Sequence, residues 1–212
     1  MRTRPAAAAG AAALLALAAG CGDASIDSAA TYTFDPGSAS VDVDTPELRE
    51  AKAAAGIAPC PVSDLDAAAV DRGVPALVLP CLGGGEAVNL AGLGTPAVLN
   101  LWAQYCGPCR SEAPRFQDFY EAARGKVAVI GVDWQEPQPG RAIAFADELG
   151  LTYPQLADPE AATRAPLRIN ALPVTVFVDS TGTIDFIHHG EVESTQDLAE
   201  LVDEHLGVRV AL

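Results

Sequence analysis

Two near-continuous apolar blocks stand out along the chain, residues 96–102 (PAVLNLW) and 126–133 (KVAVIGVD). Both are short and rich in Val, Leu or Ile, the pattern of strands covered on both faces. A helix is predicted between them over 109–124, with Pro114 inside it as a kink signal. Helical spacing returns over 140–149 and stops at Gly150, and a further short helix is predicted over 159–167. Residues 174–179 and 183–188 read as strands joined by Ser180-Thr181-Gly182, a turn signal. Ser194 then caps a last helix reaching His205. Upstream, the Ala-rich stretch 47–55 predicts a short helix ended by Gly56, and Pro59-Cys60-Pro61 breaks the chain. Residues 74–82 and 86–90, either side of Gly83-Gly84-Gly85, predict a β-hairpin. Strands alternating with helices and closed by a hairpin and a helix make this an α/β domain.

The start of the chain follows a different pattern. Arg2 and Arg4 precede an apolar run over 6–19, too short to span a bilayer, which ends Leu17-Ala18-Ala19-Gly20-Cys21. Small residues directly before a cysteine resemble a bacterial lipobox, although Ala18 stands where a larger apolar residue is usual. Residues 1–20 therefore read as a lipoprotein signal peptide and Cys21 as the lipidated residue; an ordinary secretory leader with an incidental cysteine is the other reading. Residues 21–46, rich in Ala, Ser, Thr and Asp without a sustained period, read as lipid anchor and solvated tether. That leaves 47–212 as the folded domain, long enough to bury a hydrophobic core. The formal net charge of −15 excludes nucleic acid as a partner, since little here could neutralise a row of phosphates. An anionic membrane surface would repel the domain too, so membrane attachment must come from a covalent lipid.

The chain has five cysteines. Cys106 and Cys109 flank Gly107-Pro108 where the 96–102 strand gives way to a helix. Cysteines at this spacing either close a disulfide across one turn or supply half of a zinc site. No second pair lies nearby, and the histidines stand far off at 188, 189 and 205. At the helix N-terminus, unpaired N–H groups and the macrodipole stabilise a thiolate on the first cysteine. The second lies one turn inside and is shielded. Cys106 is thus the expected nucleophile and Cys109 the resolving thiol: Cys106 attacks a substrate disulfide, and Cys109 then attacks Cys106 and releases the reduced substrate.

The stretch Trp102-Ala103-Gln104-Tyr105-Cys106-Gly107-Pro108-Cys109-Arg110 resembles the active-site motif of thioredoxin-like proteins. The wider pattern resembles their TlpA/ResA branch, the extracytoplasmic thiol–disulfide oxidoreductases. The hairpin before the central strand, Glu112 and Pro114 after the motif, and Asp158 before a short helix carry that likeness over residues 74–206. It implies a thioredoxin fold, a central mixed β-sheet flanked by helices with an N-terminal β-hairpin extension. It implies a cis proline, Pro173, facing the cysteines, with the backbone of Leu172 pairing the substrate strand. Trp102, Tyr105, Gly107 and Pro108 become substrate-binding positions. Thioredoxins place an Asp under the cysteines; here the position is Asn100, which cannot accept the proton. Some members of the branch use a Glu after the next strand instead, and Glu136 falls there. The Gly-Pro pair is that of reducing thioredoxins, whose potential is about −270 mV.

Cys60 and Cys81 remain. In an exported protein they are expected to pair as a structural disulfide, with a second redox pair exchanging with Cys106 as the alternative. The resemblance further implies an extracytoplasmic monomer without cofactor or metal, anchored to the membrane by lipid. Its partners would be disulfide-bearing exported proteins and a membrane electron-transfer reductant, cytochrome c maturation being the family's best-known setting. A disulfide oxidant or isomerase and a copper-binding thiol chaperone are the alternatives; copper-carrying relatives space their cysteines by three residues.

Overall fold

The computed structural model describes residues 41–123 and 125–212. The expected signal peptide (1–20), the lipidation site Cys21 and most of the expected tether (21–46) lie outside the described residues. The described end of that tether is packed: Val43 is buried and its carbonyl accepts the Gly83 N–H at 2.9 Å. Helix α1 (Pro46–Ala54) follows directly, with the Thr45 hydroxyl accepting the Leu48 N–H at 3.3 Å and Pro46 at its first turn.

Strands β1 (Val78–Leu79) and β2 (Val88–Asn89) pair antiparallel, so the expected hairpin forms with only two paired residues per strand. Buried Asn89 anchors it, donating its amide to the carbonyls of Asp64 and Ala67 at 3.1 and 2.8 Å. The connecting loop lies against α1: a Cβ on Gly83, at φ +70°, would come within 2.8 Å of the Lys52 Cβ.

The main elements then run in order: β3 (Ala97–Trp102), α2 (Gly107–Ala123), β4 (Ala128–Trp134), α3 (Pro139–Glu148), β5 (Gln155–Asp158), β6 (Val174–Val178), β7 (Ile184–His189) and α4 (Thr195–Leu206). The five-stranded sheet has the order β5-β4-β3-β6-β7, with β3, β4 and β5 parallel and β6 and β7 antiparallel. This is the mixed thioredoxin-type sheet expected from the motif. Alternation along β3 explains its uniform burial. Val98 and Trp102 face a core shared with Phe116 and Phe119 of α2, Phe145 of α3 and Val202 of α4. Ala97, Leu99 and Leu101 face a second core closed by Leu79, Val88 and Leu90 of the hairpin region and by Leu167 and Ile169. Among the described residues no helix is long and apolar enough to cross a membrane.

Two sequence expectations change. Strand β5 is absent from the sequence reading because QLAD is short and begins with a polar residue. Gln155 is buried there because its amide bridges Trp102 Nε1 (3.0 Å) and the Tyr153 carbonyl (3.1 Å), and Gly131 leaves it room. The helix expected over 159–167 is a run of turns. The Asp158 carboxylate takes the N–H groups of Ala162 and Thr163 at 2.7 and 3.0 Å, and Ala161 and Arg168 have positive φ, which no helix continues. The α2 helix contains Pro114, as the sequence reading has it.

Cys60 and Cys81 form a disulfide. The chain-entropy model gives about 3 kcal/mol for a loop of this size. The double variant Cys60→Ser, Cys81→Ser should lose about that much in urea unfolding while keeping thiol exchange at Cys106.

Candidate active site

After β3 the chain turns, the Cys106 N–H donating to the Ala103 carbonyl at 3.0 Å, and α2 begins. The Cys106 carbonyl accepts the Arg110 N–H at 3.2 Å, which makes Cys106 the capping residue of α2. Its sulfur accepts the Cys109 N–H at 3.2 Å. In the reduced protein that same amide and the helix dipole would face a Cys106 thiolate and hold its pKa down. Cys106 is half-buried and Cys109 is buried, and the two form a disulfide with their Cα atoms 5.2 Å apart.

The Leu172–Pro173 peptide is cis. Antiparallel pairing of Val174 with Leu101 sets this segment beside the end of β3 from which the Cys106 turn departs. A cavity of about 430 Å³ opens there, lined by Tyr105, Cys106, Pro108, Trp134, Arg164 and Leu172. Arg164 lies over the Trp134 ring at 4.5 Å and donates to Gln135 at 2.6 Å, giving the otherwise largely apolar wall one cation. Tyr105 is exposed; partial burial and the Glu136 and Asp133 carboxylates push its hydroxyl pKa up.

Behind the cysteines lies a carboxylate. Glu112 follows Cys109 by three residues, so both point from α2 toward the same buried face. One Glu112 oxygen accepts the Asn100 side-chain amide at 2.7 Å and the other accepts the Val192 N–H at 3.0 Å. Burial pushes its pKa up to about 7, against the pull of those two hydrogen bonds. A group titrating there can take a proton from a neighbouring thiol near neutral pH.

Residues 70–187 match the AhpC/TSA family model. The chain belongs to that family, among its thioredoxin-like thiol–disulfide oxidoreductases. It is 34% identical over 112 residues to the thioredoxin-like protein YneN of Bacillus subtilis, covering 50% of this chain and 65% of that protein. It is 30% identical over 122 residues to the thiol–disulfide oxidoreductase ResA of Halalkalibacterium halodurans, covering 56% and 69%. A solved DsbF homologue from Corynebacterium diphtheriae superposes with a TM-score of 0.52 at 30% identity, over 60% of this chain and 85% of that one.

Within this family member, Cys106, Tyr105, Pro108 and Leu172 come together around one cavity, with Pro173 adjoining. Gly107 is exposed at the first position of α2. Trp102, expected as a substrate-binding position, is a core residue: it stacks on Phe145 at 4.8 Å and donates its indole N–H to Gln155. Glu136, expected to serve the cysteines, is buried; its carboxylate accepts the Gln138 N–H at 2.8 Å at the turn into α3 and acts on the Tyr105 hydroxyl of the cavity. Glu112 is the acid that sequence reasoning counted only as a motif position. The available signal was its place on the buried stripe Cys109, Glu112, Ala113, Phe116.

The fold prefers protonated Glu112, so the native state binds a proton that the unfolded chain does not between about pH 4.5 and 7. Stability should therefore fall as pH rises through that window, by about 3 kcal/mol from this residue. Urea unfolding of Glu112→Gln should lack that slope, and its exchange rate should lose the inflection near pH 7.

Proposed function

We propose that this protein reduces disulfides of exported proteins outside the cytoplasmic membrane, through the Cys106–Cys109 dithiol. The carrying observation is the asymmetry of the pair. The outer sulfur caps a helix and opens on a cavity beside Leu172, and the inner one is buried on the face of α2 that also carries Glu112. A Cys106 thiolate attacks a substrate sulfur, the substrate S–S bond breaks, and the electron pair leaves on the second substrate sulfur. Glu112 takes the Cys109 proton, and the Cys109 thiolate attacks Cys106. That step frees the reduced substrate and leaves the 106–109 disulfide. Two electrons from a membrane dithiol reductant then restore the pair.

On this reading the segment 1–20 is removed, Cys21 carries lipid, and a tether lets a monomeric, cofactor-free domain reach its substrates. A solved secreted thiol–disulfide isomerase from Corynebacterium glutamicum, 26% identical, supports an extracytoplasmic setting, and the likeness of the motif to the TlpA/ResA branch is the ground for placing it in cytochrome c maturation. An oxidant or isomerase would run the same steps in the opposite direction; the Gly107-Pro108 pair supports the reducing one.

Equilibration with a dithiol redox buffer tests the direction. The potential should lie near the thioredoxin value of about −270 mV; one near about −120 mV, that of a strong oxidant, would reassign the protein. Cys109→Ser should accumulate a mixed disulfide on Cys106, seen by mass spectrometry of the intact protein. Cys106→Ser should abolish exchange with substrate disulfides.

A further inference from the structure

A second sulfur pair lies beside a buried cation, away from the residues that line the Cys106 cavity. The residues around Cys81 extend the edge of β5: the Leu82 N–H donates to the Gln155 carbonyl and the Ala157 N–H to the Pro80 carbonyl, each at 2.9 Å. Cys60 is drawn onto that edge by its bond to Cys81. Lys52 reaches up from α1 and is 7% exposed. Its Nζ donates to the Gly84 carbonyl at 2.8 Å and lies 2.9 Å from Cys81 Sγ. A disulfide sulfur is neutral and a weak acceptor, so the ammonium is held without an anion in contact. The nearby acid, Asp44, is bonded to Arg49, and Glu86 stands on the rim. Burial accordingly pulls the Lys52 pKa below the ordinary lysine value.

A cavity of about 570 Å³ opens on this pair, lined by Lys52, Ile57, Pro59, Cys60, Val62 and Gly85 among others. That volume is in the range of small-molecule sites. Cys60 is half-buried and lines the cavity, whereas Cys81 is 1% exposed and in contact with the ammonium. An entering nucleophile therefore meets Cys60, and the sulfur that must leave is the one beside a positive charge. Exchange is faster when the leaving thiolate is stabilised.

We infer that Cys60–Cys81 is a second exchange centre, opened by a low-molecular-weight thiol that enters this cavity and attacks Cys60. The thiolate RS⁻ bonds to Cys60 Sγ, the Cys60–Cys81 bond breaks, and its electron pair stays on Cys81 as a thiolate paired with the Lys52 ammonium. A second RS⁻ attacks the R sulfur of the mixed disulfide, releasing RSSR and the Cys60 thiolate, which takes a proton from water. Two RSH are oxidised and one protein disulfide is reduced. Opening removes the covalent link between Cys60 and the β5 edge, leaving the Ala58 N–H on the Thr152 carbonyl, so the staple responds to the thiol content of its surroundings.

The test uses full-length Cys106→Ser, Cys109→Ser protein, which silences the first centre and keeps the outcome independent of the proposed function. The protein is treated with reduced glutathione without denaturant, quenched by alkylation and mapped by mass spectrometry. A glutathione adduct on Cys60 with free Cys81 is expected. Adding Lys52→Met should slow opening by about tenfold, while Arg49→Met, which removes the exposed cation, should leave the rate within about twofold. A disulfide that opens only in denaturant, an adduct on Cys81, or Lys52→Met opening at the parent rate would each overturn the inference. Should Lys52→Met fail to fold, the adduct position in the parent protein decides alone.

Discussion

Strand β3 is buried on both faces, and the chemistry of the protein is set by where it ends. Val98 and Trp102 are committed to the helical side, Leu99 and Leu101 to the hairpin side, so the strand has no freedom of register. The chain leaves it through a tight turn, and the next residue able to cap the following helix is Cys106. The antiparallel neighbour β6 is locked to the same strand, which brings Leu172 and Pro173 to that end. The outer cysteine, the amide at its sulfur and the cis Leu172–Pro173 segment are thus brought to one place by one strand's burial.

Buried ionisable groups divide the two sulfur pairs by role. At the Cys106–Cys109 pair Glu112, held by Asn100 and the Val192 N–H, lies one turn after the inner cysteine on the same buried face, the position of the proposed proton acceptor. At Cys60–Cys81 the neighbour is a cation, Lys52, suited to a leaving thiolate rather than to taking a proton. Each costs stability by burial, and each is placed where a sulfur changes charge during exchange. Asn100 is the point at which this protein departs from thioredoxins. Its amide cannot relay a proton, but it donates to Glu112, so the acid is moved from the strand to the helix.

Much of this was legible beforehand. The apolar blocks at β3 and β4, the cysteine spacing at a strand–helix junction, the turn between β6 and β7 and the Ser194 cap are local signals, and each is realised. What failed was decided by partners distant in sequence. QLAD became a strand because β4 offers an edge and Gly131 makes room for Gln155. Residues 159–167 lost their helix because the Asp158 side chain took the N–H groups that a helix would leave free. Trp102 looked like a substrate-binding residue by position and turned inward.

Sequence alone determined the fold class and placed the Cys106–Cys109 pair at a helix start, because hydrophobic period and helix-end chemistry act over a few residues and do not depend on the rest of the chain. Only the tertiary structure decided which carboxylate is buried on the inner cysteine's face of α2 and which cation faces the second disulfide. Glu112 to Val192 and Lys52 to Cys81 are contacts across the chain, and burial, which moves their pKa values, exists only once the layers have packed.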